Sequence, residues 1–328
     1  MISHQPVLDE VCRAYALRCE TPAQQVSARV WRLASDRGPV AIKLYAPEHR
    51  ARARKEAMLV SHLQTAADRR FRVQAIMRAI DGSVLWEARD FCAMASRWEN
   101  GQFRPYDTFT PTQWAALGTS LAALHRQLDG LRVPVMDTLR DRLNAIDVGA
   151  LRLDLARDRI RAAGRPEAGL LESYIDVCLC VLDEFYPGSI AGFPADDPQW
   201  PIHNDYNQFN YLFGAALPPL ILDWEASIGA PREYELVRCL NHLPLEAPEL
   251  ATVFVHAYLR VRPLRPECIQ WAVDAACLQQ GLKRWIIQGW LDDPQRHAGH
   301  LSGSYRMASM MLDARAQLAR FFHNCIQA

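Results

Sequence analysis

The apolar residues change period once along this chain, near Asn100, and that change limits what each part can become. Before it, short runs alternate: Val40, Ile42 and Leu44 interleave with Ala41, Lys43 and Tyr45, the period of a strand with two distinct faces. Gln24 to Ala34 reads as a strand-pair edge, Asp36-Arg37-Gly38 as a hairpin turn and Pro39 to Tyr45 as the next strand. Phe71 to Ile80, Ser83 to Ala88 and Phe91 to Arg97 read as three more, giving a sheet of about five strands. A short helix over Leu8 to Leu17 leads, and Pro47 opens a second that runs to about Leu63 with Glu56 beside its apolar stripe. After Asn100 the spacing is helical. Thr110-Pro111 caps and opens a helix to Leu128. Others are expected over Leu139 to Ala163, Ala168 to Phe185, Glu233 to Asn241, Leu250 to Leu259, Glu267 to Trp290 and Ser304 to Phe322. The expected class is α+β: a sheet-rich part over residues 1–99, then a helical part over residues 100–328.

One stretch breaks the helical part. From His203 to Glu225 a polar cluster (His203, Asp205, Asn207, Gln208, Asn210) is followed by two short apolar runs, with Gly214, Pro218 and Pro219 between them. That order predicts a hairpin. Its open end would bring Asn210, entering the first strand, beside Asp223, leaving the second. Oxygen ligands gathered in this way, with Asp205 nearby, suit Mg²⁺. The same residues could instead make local turn bonds, as Asn and Asp do in polar loops. Against that, a carboxylate that ends a buried strand needs a partner.

Composition removes several classes. Formal net charge is zero, so no global field draws in nucleic acid. No apolar run is long enough to cross a membrane, and Met1 to Pro6 lacks the features of a signal peptide. Nine scattered cysteines, mostly inside apolar helical patterns, fit a reducing cytoplasm better than a disulfide framework. Only three of the 37 basic residues are lysines, Lys43, Lys55 and Lys283. Lys43, on a central strand, therefore carries information: buried, it needs an anion, and a compact ammonium fits among phosphate oxygens. Glu56, on the following helix, is a suitable ion-pair partner, with Glu48 also available. Trp271, Trp285, Trp290 and Tyr305 are read as core in preference to a cage for a quaternary ammonium.

Val40-Ala41-Ile42-Lys43, Glu56, Leu117-Gly-x-x-Leu-Ala-x-Leu-His125, His203-x-Asp205-x4-Asn210 and Asp223-Trp224-Glu225 occur in this order. Together they resemble the aminoglycoside phosphotransferase and choline kinase group, relatives of the protein kinases. The resemblance covers roughly residues 25 to 245. It implies a protein-kinase-like two-lobed fold, with an N-terminal antiparallel sheet carrying one helix and a mostly helical C-terminal lobe. It further implies that Lys43 contacts the α- and β-phosphates of ATP, that Glu56 holds Lys43, and that Asp205 is the catalytic carboxylate. Asn210 and Asp223 would hold Mg²⁺, and adenine would rest against the link around Ser96 to Trp98. His203 would brace the catalytic loop.

Two departures qualify the match. No glycine precedes Gly38 in the strands where protein kinases carry a Gly-rich loop, which leaves Ser27 and its backbone neighbours to cover the phosphates. Asn207 stands where protein kinases have a basic residue two positions after the aspartate. Both favour a small acceptor: an aminoglycoside, an amino alcohol or similar. The competing expectations are a Ser/Thr protein kinase and a catalytically silent nucleotide-binding regulator of the same fold.

Overall fold

The computed structural model describes residues 5–185, 192–215 and 217–328. The sequence readings at the first four residues and at Ala216 lie outside that range. The chain forms two compact units, one running to Met136 and including Trp200–Ile228, the other comprising Asp137–Gln199 and Gly229–Ala328.

The first unit is built on a five-stranded antiparallel sheet. Its strands are β1 (Gln24–Ser27), β2 (Val30–Ser35), β3 (Gly38–Tyr45), β5 (Trp86–Glu87) and β6 (Cys92–Arg97), in the order β1-β2-β3-β6-β5. The count of five is as expected, but the membership differs. The Gln24 to Ala34 run is two strands folded at Ala28-Arg29, a turn that carries neither Gly nor Asn to mark it. The run from Phe71 yields β4 (Arg72–Val73), which joins a different sheet, and beyond it a single antiparallel bridge from Ile76 to Ser96 of β6.

Alternation along β3 sorts its side chains as the period predicts. Val40, Ile42 and Leu44 enter a core with Trp31, Leu33, Ala93 and Ala95, closed by Leu8, Val11 and Tyr15 of and after α1 (Gln5–Ala14). The opposite face carries Lys43 and Tyr45, both bonded to Glu56 of α2 (Arg50–Gln64). Helix α3 (Pro111–Gln127) starts at a capping box in which Thr110 and Gln113 satisfy each other's backbone N–H groups. Two residues each form β7 (Pro201–Ile202), β8 (Tyr211–Leu212) and β9 (Leu220–Ile221). The hairpin is present, with Tyr211 opposite Ile221 and Leu212 opposite Leu220. Strand β4 pairs with β9 in parallel, a contact across nearly 150 residues that local pattern does not encode.

The second unit is helical: α4 (Leu139–Asn144), α5 (Val148–Ala162), α6 (Ala168–Phe185), α7 (Arg232–Leu240), α8 (Leu243–Glu246), α9 (Pro248–Leu259), α10 (Ile269–Gly281), α11 (Arg284–Asp292), α12 (Pro294–Asp313) and α13 (Arg315–Gln327). Three expected helices are each broken or shifted. Asp147 caps a new start inside Leu139 to Ala163, and Leu282-Lys283 interrupts Glu267 to Trp290. The helix expected from Ser304 begins at Pro294, behind the Asp293 cap, and gives way to α13 at Ala314. Leu155, Leu171, Tyr174, Ile175, Leu182, Ile286 and Trp290 form the core here. The four aromatics do not gather into a cage: Tyr305 packs on that core, Trp271 meets Phe193 edge-on and Trp285 is 56% exposed.

All nine cysteines are free thiols. Cys12 and Cys19, seven residues apart, nevertheless bring their Sγ atoms to 2.8 Å. Among the described residues no helix is long and apolar enough to cross a membrane.

Candidate active site

Lys43 stands near the end of β3 with its side chain 11% exposed. Its ammonium donates to Glu56 Oε2 at 2.8 Å and to Asp223 Oδ1 at 2.7 Å, and lies 3.4 Å from Glu225 Oε2. Burial by itself would lower the lysine's pKa. The charges of Glu56, Asp223 and Glu225, with the hydrogen bond to Asp223, outweigh it and hold the pKa above its ordinary value. The group is an ammonium at neutral pH.

Each carboxylate around it has a different setting. Glu56 is fully buried; Oε2 accepts from Lys43 and from the Tyr45 hydroxyl at 2.8 Å, while Oε1 is buried with no partner. Asp223 follows β9 in a left-handed conformation (φ 61°, ψ 70°), which turns its side chain out of the strand toward Lys43. Glu225 sits one 3₁₀ turn on and takes a bidentate pair from Arg29, at 2.7 and 2.9 Å. Burial pushes the Glu225 carboxyl up, but Arg29 and Lys43 more than reverse this and hold it below the ordinary glutamate value.

Asp205 belongs to a second cluster in the same unit. Its Oδ1 accepts from Asn207 Nδ2 and its Oδ2 from Asn210 Nδ2, both at 2.8 Å. Asn210 also donates to the Asp205 backbone oxygen at 2.8 Å, so one amide clamps both ends of the residue. His203 receives the Asp205 N–H on Nδ1 at 3.2 Å, which leaves Nε2 to donate to the Leu222 carbonyl at 2.9 Å. Its ring packs on Trp224 with centroids 4.5 Å apart. The Tyr206 hydroxyl donates to Leu117 O of α3, and Asn204 Nδ2 to Ala226 O. The loop is thereby tied to β9 and to the turn carrying Asp223. Across the hairpin's open end, Asn210 O accepts from Leu222 N at 3.0 Å, so Asn210 faces Leu222 and Asp223 lies one residue beyond.

The remaining expected residues lie along the same sheet. Ser96, buried on β6, faces Ala41, two positions along from the Lys43–Met94 pair. Trp98 donates its backbone N–H to Pro39 O and its indole N–H to Asn100 Oδ1, under the Arg32 guanidinium at 5.1 Å. Ser27 is exposed and closes the turn opposite Val30. Three residues at the site carried no expected role: Arg29, and Tyr45 and Glu225, whose places beside Lys43 and Asp223 the sequence does show. The signal for Glu225 is its place in Asp-Trp-Glu, beside the expected metal ligand Asp223. Arg29 had none.

Of the two residues expected to hold Mg²⁺, Asp223 belongs to a group of carboxylates that could hold a metal ion, and Asn210 does not. Glu56, Asp223 and Glu225 each present a carboxylate oxygen within 4.8 Å of the others. Three anions against the two cations Lys43 and Arg29 leave the pocket net negative, and hard oxygens are what Mg²⁺ takes.

Solved structures share this fold at low identity. A spectinomycin phosphotransferase in complex with ADP and spectinomycin aligns over 94% of this chain and 98% of its own, with a TM-score of 0.65 and 12% identity. A microcompartment-associated aminopropanol kinase covers 94% and 98%, at TM-score 0.64 and 16% identity. A choline/ethanolamine kinase family protein from Mesorhizobium loti covers 98% and 99%, at 0.57 and 14%. No curated protein sequence matches. The fold is α+β and protein-kinase-like, an N-terminal antiparallel sheet followed by a mostly helical remainder. Residues 18–271 match the model of the phosphotransferase enzyme family, most of the chain's length, and the chain belongs to that family.

Proposed function

We propose that the protein transfers the γ-phosphoryl group of ATP to a hydroxyl of a small molecule. The observation that carries this reading is the buried Lys43 ammonium held between Glu56 and Asp223 in the unit that also carries the Asp205–Asn210 clamp. Residues 1–99 are assigned to the nucleotide and residues 100–328 to the catalytic loop and acceptor, in a reducing cytoplasm consistent with the free thiols. Structures of related fold include a spectinomycin phosphotransferase with ADP and spectinomycin and an amicoumacin kinase with AMP-PNP, which supports a nucleotide and a small-molecule acceptor.

Lys43 serves as the point charge for the α- and β-phosphates, exchanging its bond to Asp223 for phosphate while Glu56 keeps it in place. Ser96 and Trp98 offer the adenine a wall, and Ser27 borders the phosphates. Asn210 and Asp223 would hold Mg²⁺, which would supply charge neutralisation at the phosphates; the Asn210 amide nitrogen is committed to Asp205, which leaves its oxygen to face a cation. Asp205 accepts the proton of the attacking hydroxyl. The N–H groups of Asn207 and Asn210 aim its carboxylate before the acceptor arrives. Rate enhancement then comes chiefly from positioning and charge complementarity.

Asp205→Ala tests this directly. ADP release is followed against a panel of amino alcohols, sugars and aminoglycosides. The wild type should turn over at least one of them, and the variant should lose about 10²-fold or more while still binding ATP. Near-normal turnover by the variant removes Asp205 from catalysis.

A further inference from the structure

The β1–β2 turn contains no glycine, the residue that lets a Gly-rich loop approach phosphates most closely. It carries Arg29 instead. The backbone at this residue is fixed, because its carbonyl accepts from Leu44 N at 2.9 Å. Its side chain reaches across 196 positions of sequence to Glu225, and with 37% of its side-chain surface exposed it has room to move. The partner it holds is one of the three carboxylates gathered around Lys43.

We infer that Arg29 is the residue that binds the terminal phosphate of the nucleotide, stored on Glu225 until the nucleotide arrives. The inference rests on the ATP reading above. Its reasoning is competition for charge. Both Glu225 oxygens are engaged by Arg29, and Oε2 is also 3.4 Å from Lys43. A divalent cation held beside Asp223 would take up part of the negative charge that now keeps the guanidinium on Glu225, and the phosphates would offer Arg29 a second anion. A guanidinium so released meets a phosphate in the same two-pronged geometry it had with the carboxylate. Position selects which phosphate. Lys43 is anchored on α2 by Glu56, whereas Arg29 projects onto Glu225 from the β1–β2 turn, the segment expected to cover the transferring phosphate. Lys43 and Arg29 thus bracket the phosphate chain, and the arginine takes the part played elsewhere by a Gly-rich turn.

The experiment is nucleotide binding by calorimetry, with no acceptor and no turnover. Mg·AMP-PNP and Mg·ADP are titrated into wild type, Arg29→Ala and Arg29→Lys, with unfolding curves to show that each variant is folded. Arg29→Ala should bind Mg·AMP-PNP about tenfold more weakly, about 1.4 kcal/mol, and Mg·ADP within about twofold of wild type. Arg29→Lys, which keeps the charge and loses the fork, should fall between them. An equal loss for both nucleotides makes Arg29 a structural partner of Glu225 and overturns the inference, as does no loss for either. A wild-type protein that binds neither nucleotide would overturn the ATP reading itself, a distinct result.

Discussion

Replacing Lys43 by Met gives the sharpest test of how the site is held together. The substitution keeps an unbranched side chain one atom shorter and removes its charge. It leaves Glu56, fully buried, with only the Tyr45 hydroxyl on Oε2 and still nothing on Oε1. Breaking a buried pair by deleting one member costs roughly 3–5 kcal/mol, because the remaining charge has lost its compensation. Here the lower end applies: Tyr45 remains as a donor, and Asp223, 38% exposed, can turn to water. The expected loss is about 3 kcal/mol, or a fall in Tm of about 6–12 °C for units of this size. The pair's contribution has a definite pH window. The folded pKa of Lys43 is raised above 10.5, so the stabilisation is fully present below that value and disappears only as pH rises past it. Denaturant unfolding at neutral pH is therefore the assay. The double variant Lys43→Met/Glu56→Gln should recover part of the loss, with a coupling of about 1–3 kcal/mol between the two positions. A single-variant loss under about 1 kcal/mol, or simple additivity in the double variant, would refute the claim that Lys43 compensates a buried charge.

Two further outcomes follow from the same geometry. Asp223→Ala removes a bond to Lys43 and a proposed cation ligand, so Mg·ATP affinity should drop about tenfold or more in calorimetry; unchanged affinity would refute the metal assignment. Glu225 is held below the ordinary glutamate value of 4.5, so its stabilisation is present above pH 4.5 and is lost as pH falls below it. Unfolding curves taken between about pH 3 and 6 should show a shallower acid limb for Glu225→Gln than for wild type, and parallel limbs would contradict that sign.

What could be read from the sequence was whatever depends on period and spacing. Strand alternation placed Lys43 and Tyr45 on the face opposite Val40, Ile42 and Leu44, and the structure keeps that division. The Gly/Pro punctuation after Phe213 located the hairpin, and Thr110 located the start of α3. Scarcity of lysine singled out Lys43. Helix boundaries were less legible, since Asp147 and Asp293 cap new helices inside or ahead of runs whose apolar spacing continues unbroken.

Tertiary structure settled the partners. Glu56 and Glu48 were both available to Lys43 in sequence; Glu48 falls in a 3₁₀ turn before α2, and Glu56, a turn and a half into the helix, faces the sheet. The Asp223 bond to Lys43 spans 180 positions and the Arg29 bond to Glu225 spans 196. The Ala28-Arg29 turn left no mark because its residues adopt ordinary negative φ values. The physical reason is common to the three ion pairs: a strand or a helix is dictated by neighbours a few residues away, whereas an ion pair depends on where two distant backbones come to rest. In this protein the sequence by itself determined which residues bear charge and which face they occupy, and the packing of β3, α2 and the hairpin decided which of them meet.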